Sequence, residues 1–573
     1  MKKFIFVFTL SPVQSFISQA RKTKDLFAGS LLISKLLNRA VEIVKENRGD
    51  IIYPFVSDEN PNSQSLPNRF VALVEGKDND KIQTLGESVE KGVKVLFKEI
   101  SVETAEKNKS LINNANDYFK QIDTFLEIYW TALEIDNSDY GKVYNEAEKQ
   151  LASIKNYRPF DQLIEEGKKC SLCGQRNSVV KAAGDLPKEY SFALNYGEGL
   201  CLVCFTKRFY TSASYPATAQ IALADTIDNI EKDIKNGALI FLTNYKKIFG
   251  EQFDYQLLYE SNLNENYFRT QGLKSFINRL GKIREEYKKL YNAAKSINLQ
   301  FTPYYALVML DADSMGEWVS GRKINSSADL FDFQKRLSKG LYEFANSIKL
   351  SLPKGETVYA GGDDFLGFFN LNFLFDELNN IYNNFDRIVN SEVKEYLSDN
   401  QKITLSGGII IAHYKTPLGA VLQECRNLEK RAKDYDENKN AFAISVMKHS
   451  GEIQTSWFKW KNGEKFILSD FNELALLLRN KKVTNKFISA LYDEFSKIMN
   501  VSNLQNQEMI ITELKRLIKR AKAAREDEKS VERVINIAVD LFYGSRNNLN
   551  NFISSLQIID FISKHLNGGK YEN

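Results

Sequence analysis

Asp363 and Asp364 are adjacent carboxylates that directly follow Gly361-Gly362. Thr357-Val358-Tyr359-Ala360 reads as a strand, the two glycines as a tight turn, and Phe365-Leu366-Gly367-Phe368-Phe369 as the returning strand. The acids therefore fall at a hairpin tip. Upstream, Tyr304 to Leu310 forms another apolar strand that ends in Asp311-Ala312-Asp313. Carboxylates from two neighbouring strand ends suit a pair of Mg²⁺ or Mn²⁺ ions, which take oxygen ligands and leave positions open for phosphate. Gly361 and Gly362 would let backbone approach a triphosphate closely, because neither carries a Cβ. Gly-Gly-Asp-Asp is also an ordinary β-turn sequence. The second acidic pair in the same unit is what favours a metal site for nucleotidyl transfer.

A second constellation is built from sulfur. Cys170-Ser171-Leu172-Cys173 and Cys201-Leu202-Val203-Cys204 are two Cys-x₂-Cys pairs, each with the spacing at which thiolates from one tight turn meet a tetrahedral ion. Four thiolates leave no position open for water, so the expected ion is a structural Zn²⁺. Cys425, in a helical stretch, reads as a small buried apolar residue.

The elements that must position these groups belong to an ordinary globular chain. It has 573 residues, 43% of them hydrophobic and 26% charged, and that length should hold several cores. A net charge of +4 neither demands nor excludes nucleic acid, so any RNA contact must be a local patch. No apolar run approaches the ~20 residues of a membrane span. Met1-Lys2-Lys3 and the following Phe4 to Leu10 mimic a secretory signal, but Pro12 and Gln14 interrupt the run and Arg21, Lys22 and Lys24 follow. A first β-strand, a cytoplasmic location and no membrane partner are the reading.

That strand, with Phe4, Phe6 and Phe8 alternating against Ile5 and Val7, opens a β-α-β-β-α-β order. One long helix is expected from Ser11-Pro12 to about residue 47, with Gly29 and Ser30 allowing close packing or a break. The same order recurs around the acidic motifs, extended by a helix and a strand. The fold class is α+β, with two ferredoxin-like palm domains. The expected division is a first palm at 1–160, a zinc-ribbon insertion at 161–215, a helical linker at 216–300, a second palm at 301–450, and helices throughout 451–573.

Taken in order, these segments resemble a known family, the large palm-domain subunit of type III-B (Cmr) CRISPR RNA-guided effector complexes. The resemblance rests on Ser11 to Ile17, Ala20 to Leu26, Leu66-Pro67-Asn68-Arg69-Phe70, Tyr129-Trp130, both cysteine pairs with Lys207-Arg208, Ala360 to Asp364, His413 to Leu418, and Ala432-Lys433. It implies an antiviral subunit that works with other Cmr subunits, guide RNA and target RNA, and joins ATP into cyclic oligoadenylate when target pairs with guide. Many members begin with a His-Asp nuclease domain. Here the first palm strand starts at Phe4, and the only histidines, His413, His449 and His565, are late and not followed by Asp, so nuclease activity is expected to be absent.

By this resemblance Asp311 and Asp363, with either Asp313 or Asp364, would hold the catalytic metals. Lys433 would meet the triphosphate, and Ser11 and Gln14 would hold a second nucleotide. Ordinary alternatives are a solvated helix lysine and a helix cap at Ser11. Two other functions remain open. The same palm could join ATP to another adenosine-containing acceptor such as S-adenosylmethionine, or the chain could be a non-catalytic scaffold.

Overall fold

The structure, a computed structural model, describes residues 1–57, 66–136, 139–157, 166–181, 194–195, 197–233, 237–495, 507–521 and 528–568. Alternation along β1 (Lys2–Ser11) sends Phe4, Phe6 and Phe8 into one core and Ile5 and Val7 into another, as period-two side chains must. The chain continues through α1 (Gln14–Ser18), α2 (Thr23–Glu46), β2 (Asp50–Tyr53), β3 (Arg69–Gly76), α3 (Asn79–Lys107) and β4 (Glu127–Glu134). The sheet runs β2-β3-β1-β4 with antiparallel neighbours, the ferredoxin-like arrangement.

The single long helix expected after Ser11-Pro12 is divided. Between α1 and α2 the backbone N–H groups of Arg21 and Lys22 donate to the Asp25 carboxylate at 3.0 and 3.1 Å, which starts a new helix there. Gly29 is a point of close packing instead of a break, since a Cβ there would lie 3.1 Å from Cδ of Lys207.

Helix α4 (Tyr140–Asn156) packs on β4 and β1. The expected boundary at 160/161 lies outside the described residues. The cysteine segment follows, ending in α5 (Leu202–Phe209), which packs against α2 and α3. Helices Thr218–Lys232, Ala238–Phe249 and Leu280–Ser296 then gather around their own core.

The second palm repeats the first. It comprises β5 (Tyr304–Ala312), α6 (Leu330–Ser347), β6 (Gly355–Gly361), β7 (Asp364–Phe369), α7 (Leu374–Phe385), β8 (Leu405–His413), α8 (Leu418–Lys433), β9 (Ala441–Met447) and β10 (Ile453–Lys459). The sheet runs β10-β9-β8-β5-β7-β6, with β9 parallel to β8 and the other pairs antiparallel. Helix was expected throughout 451–573, yet Ile453–Lys459 is a strand. Gly451, at φ 90°, turns the chain so that this segment pairs with β9, burying Ser456 and Phe458. Helices Ile467–Arg479, Lys486–Phe495, Gln507–Arg520, Glu528–Gly544 and Leu549–Ser563 then pack onto the second palm's core. Among the described residues no helix is long and apolar enough to cross a membrane.

Candidate active site

The ladder of the second palm sets the acids. In the β5–β7 register Asp311 faces Asp364, and the Ala312 N–H donates to the Asp363 carbonyl at 3.0 Å. Gly361 pairs with Asp364 across the β6–β7 hairpin, so the two-residue turn is Gly362-Asp363. This places Asp363 at the tip and Asp364 at the start of the returning strand. Gly362 sits at φ 64°, and a Cβ there would meet the Tyr53 hydroxyl of the first palm at 3.2 Å and Pro67 at 3.4 Å.

Asp311, Asp363 and Asp364 open on a cleft of about 1440 Å³ between the palms. The first palm supplies Ser11, Gln14, Tyr53, Arg69 and Glu148 to its wall, and the second supplies Arg426, Lys430 and Lys433 from α8. Positions 426, 430 and 433 follow a helical repeat, so one face of α8 lines the cleft with cations. Arg69 is paired with Glu148, and Arg426 Nη2 donates to the Gln14 carbonyl at 3.1 Å, tying the two walls together.

Asp363 is pushed up to about 6, first by the protein packed around it and then by the neighbouring Asp311 charge. Burial and then Asp363 push Asp364 well above the usual carboxylate range. The cleft is concave but open, so Asp364 is flanked by protein while its side chain still meets water. Lys433 Nζ lies 2.5 Å from Asp311 Oδ2 and 2.5 Å from Glu429 Oε1. Burial opposes its charge, yet these two acids hold the ammonium above its ordinary value. Asp311 and Glu429 thus hold this lysine while the charges of Asp363 and Asp364 stand nearby, and carboxylate oxygens are the donors that Mg²⁺ or Mn²⁺ takes.

The cysteines form a tighter site. The four Sγ atoms lie within 4.8 Å of one another, and Cys173 and Cys201 are 3.8 Å apart. Tetrahedral thiolates at the usual Zn–S length stand about 3.8 Å apart, so the set fits a closed structural Zn²⁺. The N–H groups of Leu172 and Cys204 donate to Cys170 and Cys201 Sγ, each at 3.4 Å, which stabilises thiolate charge. Gly174, at φ 67°, makes the first knuckle turn. Cys425 is buried, 3.4 Å from the Gly408 carbonyl.

Other sequence-selected residues are placed differently. Asp313 is not among the residues lining the cleft. Its Oδ2 accepts from Thr404 at 2.7 Å and from the Asn440 N–H at 3.0 Å, and its Oδ1 is buried without a partner. Gly361 and Gly362 line an adjoining cavity of about 690 Å³, which shares Tyr53, Pro67 and Tyr359 with the cleft. Ser11 ends β1 and does not cap α1, whose N-cap is Val13. The three histidines gather around Tyr304 at the opposite end of β5 from Asp311, with His413 and His449 rings 4.4 Å apart. Tyr53, Arg69 and Glu148 were not selected as site residues. Only the β1–β3 register, which sets Arg69 beside Thr9, brings Arg69 to the cleft.

Paired ferredoxin-like units with an acidic strand-end cluster in the second define a two-palm protein. Comparison with known proteins narrows this. Residues 304–443 match the family described as Cas10/Cmr2, second palm domain, and residues 5–102 match CRISPR-associated protein Cmr2, N-terminal. One match falls on each palm, and they say what the chain is similar to. The CRISPR system Cmr subunit Cmr2 of Pyrococcus furiosus is 25% identical over 588 residues, covering 83% of this chain. The chain spans 65% of that relative's length. The type III-B Cmr-beta structure in its apo state superposes with a TM-score of 0.65 at 15% identity, covering 98% of this chain and 82% of the other. Cmr-beta bound to cognate target RNA gives 0.64 at 15% identity, covering 98% and 83%. The two structures share the fold.

Proposed function

We propose that this chain is the nucleotidyltransferase subunit of a type III-B RNA-guided effector complex, converting ATP to cyclic oligoadenylate when guide RNA pairs with target RNA. Its partners in this reading are the other Cmr subunits and, through them, the two RNAs. The observation that carries the chemistry is the cleft itself. Three carboxylates from neighbouring strand ends stand beside the cationic face of α8 and line a space larger than the about 300–1,000 Å³ typical for one ligand. Two nucleotides fit that description, one against each palm.

Asp311, Asp363 and Asp364 would hold Mg²⁺ or Mn²⁺, which when bound supplies activation of a ribose 3′-hydroxyl and neutralisation of charge at the attacked phosphate. Lys433 exchanges Asp311 for triphosphate oxygens as the point charge on the leaving group. Arg426 and Lys430 extend that cationic track along α8. Ser11 and Gln14, with Arg69, orient the second nucleotide from the first palm, and alignment of two held nucleotides accounts for much of the acceleration. No protein nucleophile takes part.

The test is the purified complex with ATP, Mg²⁺ and matching target RNA, with products identified by mass spectrometry. Cyclic oligoadenylate is the expected product. An adduct formed only when S-adenosylmethionine is added would replace the acceptor assignment. An intact complex that leaves ATP unchanged would make the chain a scaffold.

A further inference from the structure

Lys207 is fully buried on α5, three residues beyond Cys204, and a buried ammonium is costly unless its donors are satisfied. Its neighbour Arg208 is neutralised in the usual way. It makes a two-pronged contact with Asp25 at 2.7 Å in each prong and meets Glu198 at 2.8 Å. Lys207 has no carboxylate within ion-pairing distance among the described residues. Its Nζ donates to the carbonyls of Phe16 at 2.5 Å and Gln19 at 2.7 Å, and lies 4.6 Å from the centre of the Phe16 ring.

Those carbonyls belong to the C-terminal end of α1. Five residues are too few to hold a helix without outside support, and the last carbonyls of any helix lack intrahelical donors. Lys207 supplies both the donors and a charge suited to that end of the helix. The other end of α1 is gripped from the second palm, where Arg426 donates to the Gln14 carbonyl at 3.1 Å. Around these two grips, Val13, Gln14 and Ile17 line the cleft. Gly29 leaves the passage for the lysine stem, since a Cβ there would stand 3.1 Å from Lys207 Cδ and 3.4 Å from Ile17 Cα.

We propose that Lys207 is a positioning residue for the nucleotide held by the first palm, joining the four-cysteine module to α1 so that the module's integrity sets the grip of the Ser11–Ile17 segment. This rests on the nucleotidyl-transfer reading of the cleft. Lys207 touches no substrate. It acts through the carbonyls of α1, and its removal should weaken one nucleotide subsite while sparing the one at Asp363 and Lys433.

The experiment is calorimetric titration of the full chain with a non-hydrolysable ATP analogue and Mg²⁺, alongside zinc content and melting temperature. The unaltered chain is expected to bind two analogues. Lys207→Met should keep one zinc per chain and one analogue at unchanged affinity, while the second weakens about tenfold or more. Gly29→Ala, which crowds the lysine stem and the backbone of Ile17 without touching zinc, should weaken the same site by a smaller factor, and it serves if Lys207→Met does not fold. A lower melting temperature with both sites unchanged would overturn the proposal and leave Lys207 purely structural. If the unaltered chain binds no analogue, the underlying reading of the cleft fails as well. If it binds two and the variants do too, only the Lys207 proposal fails.

Discussion

The two palms share a strand order but differ in what stands at equivalent strand ends. In the second palm β5 runs into Asp311, and the β6–β7 hairpin closes in two residues with Asp363 at its tip. In the first, β1 ends at Ser11 before Pro12, and Arg69 opens β3. One frame therefore offers acids and the other offers hydroxyl, amide and guanidinium groups to the same cleft. Their supports differ too. The acidic palm is braced by two extra strands and the C-terminal helices, whereas the first is braced by the cysteine module through α5. A duplicated fold fixes where groups can be presented, and the residues at strand ends decide the chemistry.

The largest expected effect breaks the first palm's brace. Replacing Cys170, Cys173, Cys201 and Cys204 with serine should remove one zinc per chain and destabilise the surrounding segment by on the order of 10 kcal/mol. Atomic emission and hydrogen exchange of the described cysteine segment check this, and retained zinc would contradict it. The acids of the second palm should keep their geometry in that variant.

A smaller effect separates neighbours within the second palm. Asp311→Ala should cost a hundredfold or more in product formation, roughly 3 kcal/mol in the transition state, with little change in melting temperature. Asp313→Ala should instead cost about 1–3 kcal/mol of stability, because it strips partners from Thr404 and the Asn440 N–H. Thermal melts and rates measured on both variants give the contrast. Lys433→Ala should chiefly raise KM for ATP, by about tenfold, with a smaller change in kcat.

The smallest effect concerns the histidine cluster at the far end of β5. Burial lowers both His413 and His565 from their ordinary value to about 4, with nearby positive groups adding to the shift. The folded state therefore binds fewer protons than the unfolded state between about pH 4 and 6.5. Their contribution is present above pH 6.5 and is lost as pH falls toward 4. Melting temperatures of His413→Gln and His565→Gln should show a flatter acid limb than the unaltered chain. An unchanged limb would mean that these rings are not held neutral by the fold.

Much of this was legible in residue order. Alternation in Phe4 to Leu10 and the apolar run ending at Asp311 reveal strands, and the cysteine spacings reveal a four-thiol cluster that could hold a closed metal site, because each signal is local. Other placements are set by tertiary structure. Asp311 and Asp313 would share a face only if the strand continued. It ends at Ala312, and Ser314 adopts a left-handed φ of 57°, so Asp313 turns toward Thr404. Gly361 and Gly362 were read for phosphate approach, and the close approach visible at Gly362 is to Tyr53 and Pro67 of the other palm. The division of α1 from α2 depends on Asp25 and on Lys207, which comes from a distant segment. Arg69 and Glu148 reach the cleft only through tertiary packing, so spacing along the chain carries no trace of them.

In the proposed reading the Asp363–Asp364 tip is chemical and not structural. The most direct measurement compares the assembled complex carrying Asp363→Ala and Asp364→Ala with the unaltered complex, each given ATP, Mg²⁺ and matching target RNA. The tip lies in an open cleft and its carboxylates make few bonds that hold the fold, so assembly, RNA binding and melting temperature should be unchanged while product falls by about a hundredfold or more. Product at the unaltered rate, or a double variant that fails to assemble, would contradict the account.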